Sequence, residues 1–339
     1  MAKRSDVARA AGVAESTVSY ALSGSRPISE ETKKRIHVAI VELDYKPNAM
    51  AAALRSGNSK MLALVFGVTE RGISQGDMSY VLGAADAARE LGYHLILWPA
   101  RDRDIDDVIM QAHSGLLDGV VLMEVRLEDA RVKIFKELGI PVALIGRTNT
   151  PDEDVFADRD FDGAIRIAIE ELARLGHKRV DFLSTTTLQV SNGFGAIVRA
   201  EKAAIEIARE HDIALSIVHT GYLPQGGYEL GFQYDKKEEQ ATALISLNSE
   251  AVVGFSRGAQ KAGLRIPEDF SIICIDSMAS EALAQEPSLT TISPPAVEIA
   301  GAAVSALINI LSNSQLPAPQ QLWSGELVTR ESSGPAPRK

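Results

Sequence analysis

The chain has 339 residues, 45% hydrophobic and 24% charged, an ordinary globular composition with length enough for two or three domains. No apolar run reaches membrane-spanning length, the first residues carry no apolar signal core, and the single cysteine, Cys274, excludes an internal disulfide and argues against a cysteine-rich metal site; the expectation is a cytoplasmic protein. Residues 1–60 hold 10 Lys/Arg against 6 Asp/Glu, a net of +4, while the remainder carries a net of −14, so a basic head that suits phosphate sits on an acidic body.

The first predicted elements are two short helices. Ser5 can cap the first, whose apolar face is Val7, Ala8 and Ala11, and Gly12 supplies a tight turn. The second runs from Glu15 to Leu22 with Val18, Ala21 and Leu22 on one face, and Gly24 stops it. This is a helix-turn-helix pattern, whose second helix can lie in a DNA major groove. A helical hairpin that packs and binds nothing has the same local pattern, so the context must decide. Ser29 is the expected N-cap of a third helix with Glu30 and Glu31 in its first turn, and Ile36, Ala39, Ile40 and Leu43 form one apolar stripe. Lys33, Lys34 and Arg35 lie off that stripe, as phosphate contacts or as a solvated face. Pro47 ends the unit. The alanine-rich segment that follows, closed by Gly57, is too short for a stable isolated helix and reads either as a linker or as a helix formed when held.

From Met61 onward strand and helix patterns alternate. MLALVF, HLILW, GVVLM and PVALIG read as strands, with helices over DMSYVLGAADAARELG, near 104–114, and between the last two. A second series begins near Asp160: a helix AIRIAIEELARLGH, strand RVDFLS, a helix around 195–210, strands LSIVH and TALISL, a helix ending at Gly263, and strand FSIICID. Two βαβ series predict an α/β protein with two doubly wound parallel sheets and a cleft between them.

DVARAAGVAESTVSYALSGSRPISEETKKRI followed by AIVELDYKPNAMAAALRSG resembles the head of the lac repressor family of bacterial transcription regulators. The body resembles that family's effector domain, itself similar to periplasmic sugar-binding proteins, through RELGYHLIL, LARLGHKRV, AGLRIPEDFSIICID and PSLTTISPP. The resemblance implies a DNA-binding head over 1–47, a hinge helix and linker over 48–60, and an effector-binding and dimerisation body over 61–335. Lobe one would take about 61–159 and 290–320, and lobe two about 160–287 and 321–333, with crossings near 158–161, 285–292 and 318–323.

The same resemblance assigns residues. Glu15, Ser16 and Tyr20 would read bases, Thr17 and Ser19 would bind phosphate, Arg26 could reach a guanine, and Ser5 joins this DNA-facing set. Leu54 would wedge open a base step in the minor groove with Arg55 beside it. Ala14 stands where the family usually has a Ser or Thr cap, which costs the second helix about 1 kcal/mol. In the body, Asp276, Asn248 and Tyr222 follow strands and Asp160 sits at a crossing; Arg199 matches the family's ligand-binding arginine only with a one-residue shift, the unshifted position being Ala200. Asn248-Ser249 and Asp276-Ser277 replace paired Asn-Asp and Asp-Asp, and Gly76-Asp77 replaces paired aromatics. These departures imply a site unlike a stacked-ring monosaccharide pocket, either open to another small metabolite or only weakly selective.

Enzyme signatures do not assemble. Gly193-Phe194-Gly195 lacks a third glycine and reads as a loop, His177 follows a helix-ending glycine, and Cys274 lies inside an apolar strand. The expectation is a non-enzymatic, homodimeric repressor without cofactor or metal, binding a near-palindromic operator and a small effector, possible sugar included, with no membrane partner. The alternative is a small-molecule binding protein of the periplasmic type without DNA function. No heptad tail for tetramer assembly is visible, and the chain from Pro335 onward is expected to be disordered.

Overall fold

The computed structural model describes residues 2–23, 26–46, 58–67, 72–100, 105–234, 240–312 and 320–338. They fall into two units, Met1–Ser59 and Lys60–Lys339.

The first unit is three helices, α1 (Arg4–Ala11), α2 (Glu15–Ser23) and α3 (Glu30–Glu42). Val7, Ala8, Ala11, Val18, Ile36 and Ala39 make its core, with Val13, Ala21, Ile40 and Tyr45 packed against them. Gly12 ends α1 in the left-handed conformation, φ 63°, which an L side chain resists. Ser29 caps α3 by accepting from Thr32 N–H at 3.3 Å. Ser5 is not a cap: Lys3 occupies that position and Ser5 lies within the first turn, while the Asp6 carboxylate accepts from Lys3 N–H at 2.9 Å. Leu22 and Leu43 are 43% and 36% exposed, because three short helices enclose too little volume to take every apolar residue of the stripe. Residues 47–57 of the hinge segment, Leu54 and Arg55 among them, lie outside the described residues.

The second unit contains two six-stranded sheets. The first is built from β1 (Met61–Gly67), β2 (His94–Ala100), β3 (Gly119–Leu122), β4 (Val142–Ile145), β5 (Phe156–Arg159) and β11 (Gln320–Trp323), in the order β11-β5-β4-β3-β1-β2. The second is built from β6 (Arg179–Ser184), β7 (Ala214–His219), β8 (Ala243–Ser246), β9 (Ser271–Cys274), β10 (Thr290–Ile292) and β12 (Leu327–Val328), in the order β12-β10-β9-β8-β6-β7. Every pairing is parallel except β10 with β12, a short antiparallel edge. β3, β4, β8 and β9 are buried at every position, as apolar strands covered on both faces must be.

Helices α4 (Gln75–Glu90), α5 (Ile105–His113), α6 (Ala130–Glu137) and α13 (Ala296–Leu311) accompany the first sheet, and α7 (Phe161–Arg174), α8 (Thr187–Ser191), α9 (Gly195–Glu210), α10 (Pro224–Phe232), α11 (Ser249–Lys261) and α12 (Ala279–Leu283) the second. Each sheet has an apolar cluster on each face. The helix α10 touches α11 through glycines on both sides: a Cβ added at Gly254 would lie 2.8 Å from Tyr228 N, and one at Gly258 2.8 Å from Phe232 N.

The chain passes between the sheets after β5, after β10 and after β11. The second passage lies between Ile292 and Ala296, later than the expected 285–292, because β10 pairs with β9 and stays in the second lobe. The third follows Trp323, since β11 pairs with β5 through all four of its residues. The end of the chain is ordered, against expectation. Ala336 N–H donates to Leu175 O at 2.9 Å, Gly334 N–H to Ser271 Oγ at 3.1 Å, and the buried His177 ring contacts Gly334 O at 3.1 Å.

Candidate functional site

The head offers an outward face. Glu15 and Ser16 are exposed, Thr17, Ser19 and Tyr20 half-buried, and Val18 points into the core. The Arg26 guanidinium lies 5.0 Å from the centre of the Tyr20 ring, so these two predicted base readers form one surface feature. Glu15 is paired with Arg4 at 3.2 Å, which ties α1 to α2 and means a base amino group must compete for that carboxylate. Ser5 lies on α1, away from the second helix's readers in sequence, and carries no cap bond.

In the body, the strands of both sheets end at one cleft of about 190 Å³, below the roughly 300–1,000 Å³ of drug-sized pockets and therefore suited to a small ligand. Residues just past the carboxyl ends of strands line it: Glu124 and Val125 after β3, Gly146 after β4, Thr185 after β6, Tyr222 after β7, Asn248 after β8 and Asp276 after β9. Of the five residues expected here, Arg199, Tyr222, Asn248 and Asp276 line the cleft and Asp160 does not. Asp160 is consumed at the lobe crossing: its Oδ1 accepts from Gly163 N–H at 2.9 Å as the cap of α7, and its Oδ2 from the Ser324 hydroxyl at 3.0 Å. Two of the three crossings are thereby tied together. Of the two positions weighed for the ligand-binding arginine, Arg199 lines the cleft and Ala200 is fully buried in the lobe-two core.

Asn248 is also committed to structure. Its Oδ1 caps α11 through Ala251 N–H at 3.0 Å and its Nδ2 donates to Gly221 O at 3.1 Å, the loop that carries Tyr222. Asp276 keeps its side chain 46% exposed and accepts from Arg159 Nη1 at 3.2 Å.

Sequence reasoning missed the buried charges at the end of β5. Asp158 accepts from Arg159 N–H at 2.8 Å and from Arg199 Nη2 at 3.3 Å, with Arg147 Nε 3.7 Å away. Arg159 also donates to Ile292 O at 2.8 Å, and its guanidinium stands 5.2 Å from the centre of the Phe161 ring. Burial pushes the Asp158 carboxyl above its ordinary range, with Arg199 and Arg147 pulling it back. Burial likewise lowers Arg199, so both partners register the cost of desolvation. Burial, and then the Asp276 charge, raise Tyr80, which stays a neutral hydroxyl.

Aromatic walls are present although Gly76-Asp77 supplies none. Tyr80, Phe161, Phe194 and Tyr222 all line the cleft. Phe194 belongs to the segment read as a plain loop. That segment bridges the lobes: Leu127 N–H donates to Gly193 O at 2.8 Å, Gly195 N–H to Val125 O at 2.9 Å, and Arg126 lies 5.2 Å from the centre of the Phe194 ring. Glu124, next to this bridge, is a non-glycine residue at φ 52°, a strained conformation of the kind that gathers at functional sites. Cys274 is no nucleophile, since burial pushes its thiol up to about 12.

A helix-turn-helix head joined to a two-lobed body with a cleft at the strand ends defines a DNA-binding protein with a receptor domain. The comparisons agree. Residues 5–48 match the model for bacterial regulatory proteins of the lacI family, and residues 169–333 the model for a periplasmic binding protein-like domain. The chain is 29% identical to the HTH-type transcriptional regulator AglR of Rhizobium meliloti (strain 1021) over 337 residues, covering 96% of this chain and 92% of that one. Its fold is similar to the lac repressor dimer bound to operator and the anti-inducer ONPF, with TM-score 0.82, 19% identity, and 98% and 99% of the two chains covered. It is also similar to the complex of the transcriptional regulator CelR with cellobiose, with TM-score 0.72, 21% identity, and 98% and 100% covered. Residues 5–48 carry the head of the lacI family of bacterial regulatory proteins, and the chain is a DNA-binding transcriptional regulator. Among the described residues no helix is long and apolar enough to cross a membrane.

Proposed function

We propose that the protein is a homodimeric repressor whose affinity for a near-palindromic operator is set by a small sugar or related metabolite in the lobe cleft. The observation that carries the DNA half is the outward face of α2, where Glu15 and Ser16 are exposed over a buried Val18. Glu15, Ser16, Tyr20 and Arg26 read bases, Thr17 and Ser19 hold phosphate, Ser5 supports the same face, and Leu54 with Arg55 acts in the minor groove. Arg199, Tyr222, Asn248 and Asp276 belong to the effector site, and Asp160 acts at the hinge rather than on the ligand. The cellobiose in the similar CelR complex and the aromatic walls of this cleft favour a sugar. The reading assigns residues 1–47 to DNA, 48–60 to the hinge and the rest to effector binding and dimerisation. It gives the chain no catalytic step and places it in the cytoplasm with its DNA.

Incubating the full-length protein with randomised duplexes tests this. A near-palindromic sequence is enriched and its binding weakens steeply with salt as counterions are released. Recovery of no sequence above background would instead favour a small-molecule binding protein with a disused head.

A further inference from the structure

The pair between Arg4 and Glu15 joins the first residue of α1 to the first residue of α2. Val7, Ala8, Ala11 and Val18 pack the two helices together, so the pair sits on a fixed frame. Arg4 Nε donates to Glu15 Oε2 at 3.2 Å, and Arg4 Nη2 lies 3.2 Å from the same oxygen. Among the described residues Glu15 Oε1 has no hydrogen-bond partner. Competition for this carboxylate is therefore confined to one oxygen, and the other stays open as an acceptor. The Glu15 side chain is 49% exposed against 29% for Arg4, so the glutamate presents more of itself to solvent than its partner does.

A glutamate at the start of a DNA-reading helix faces two difficulties. Phosphates repel its charge, and its long side chain must give up rotamer freedom to stay opposite a base. Arg4 answers both, because it places a cation beside the carboxylate and fixes the end of the side chain before DNA arrives. The open oxygen then selects a base by what the base edge offers. In the major groove cytosine presents its N4 amino donor alone. Adenine couples its N6 donor to the N7 acceptor, guanine shows acceptors, and thymine an acceptor and a methyl group. A carboxylate only accepts, so cytosine satisfies it without turning an acceptor toward it.

We infer that Arg4 is a positioning residue for DNA recognition. It holds Glu15 with one oxygen free to read a cytosine amino group, and so sets the base preference at one position of each half-site. This rests on the reading of Glu15 as a base contact.

The test uses full-length wild type, Glu15→Gln, Arg4→Met and the double variant, with melting curves to report folding. Each is incubated with randomised duplexes, then titrated with the enriched operator and its single-base substitutes. Wild type prefers cytosine at one half-site position, and Glu15→Gln, which both donates and accepts, moves that position toward adenine. Arg4→Met narrows the cytosine preference there by about fivefold, the reach of an exposed ion pair, and leaves the other positions and the salt slope unchanged. In the Glu15→Gln background the same change leaves base preference as it was. Arg4→Lys keeps the charge without the planar fork, narrows the preference to a smaller extent, and serves if Arg4→Met does not fold. A uniform loss across all sequences, with a salt slope smaller by about one, would make Arg4 a phosphate contact and overturn the inference. An unchanged preference in Arg4→Met overturns it too, while a shift in Glu15→Gln keeps Glu15 among the readers. Selection of the wild-type operator by Glu15→Gln removes Glu15 from the readers and the inference with it. Enrichment of no duplex by wild type overturns the operator reading itself.

Discussion

Asp158→Asn removes one charge from a buried cluster and changes almost no volume. The wild-type carboxylate receives Arg159 N–H at 2.8 Å and faces Arg199 at 3.3 Å and Arg147 at 3.7 Å, all on side chains no more than 15% exposed. The asparagine oxygen can still accept from Arg159 N–H, but its amide nitrogen would meet donors, and two guanidinium groups lose their counterion. Breaking a buried pair from one side costs about 3–5 kcal/mol. At roughly 2–4 °C per kcal/mol for a large domain, the body should melt roughly 6–20 °C lower. The double variant Asp158→Leu with Arg199→Met provides the control. Burial opposes the charged form of both partners, so an apolar pair should recover part of the lost stability, Arg147 still lacking its counterion, while abolishing effector binding. Calorimetric melts of wild type, single and double variants measure this. A single variant melting within a degree of wild type, or a double variant melting lower than the single one, would refute the account of this cluster as a desolvated pair.

Other expectations follow from separate parts of the molecule. Gly254→Ala places a Cβ 2.8 Å from Tyr228 N, so α10 and α11 must separate; a loss of about 1–3 kcal/mol is expected by chemical denaturation, and an unchanged midpoint would mean the crossing is loose. His177 is held neutral by burial, its pKa below 6.5 in the folded state although its Gly334 contact favours the proton. The unfolded chain therefore takes up a proton first, so stability is complete above about pH 6.5 and declines as pH falls below it; His177→Gln should melt with a shallower dependence across that window, and an identical slope would exclude His177 as its source. Leu54→Ala should lower operator affinity in a gel-shift titration while leaving the effector-induced melting shift intact; unchanged operator binding would remove its wedge role.

The sheets were legible because buried strands announce themselves as short apolar runs: GVVLM, PVALIG and TALISL each contain a wholly buried strand. Helix α7 was legible from Ile165, Ile169 and Leu172, all fully buried on one stripe. Strand β5 was not, because it ends in Asp158-Arg159, whose burial depends on partners far away in sequence. Edge strands β11 and β12 were hidden by exposed residues such as Gln320 and Val328, and by their length. Helix α13 could have been read, since Ile299, Ala303 and Leu307 recur at helical spacing and are buried. The cleft was half legible. Asp276 and Asn248 stand directly after apolar runs, and the same rule would have found Glu124 and Thr185. Phe194 and Gln189 carry no such local signal, because a loop between two elements reaches the cleft only through tertiary packing.

The ties across the cleft bear on how strongly a ligand can act. Two backbone hydrogen bonds join Val125 and Leu127 to Gly195 and Gly193, each worth a net of about 0.5–1.5 kcal/mol. Arg126 over Phe194 adds about 0.5–1 kcal/mol at a partly exposed site. The hydrogen bond from Gln75 Nε2 to Ser280 Oγ, 3.1 Å on exposed side chains, adds little. These contribute roughly 1.5–4 kcal/mol toward closure, beside the Asp158–Arg199 and Arg159–Asp276 ion pairs that also join the lobes, before the entropy of ordering the loops is subtracted. That is the size of an ordinary allosteric coupling, about 1–3 kcal/mol. A ligand shifts the lobes only by its differential affinity for the closed form, so a molecule touching both lobes can outweigh these ties. One touching a single lobe cannot, however tightly it binds.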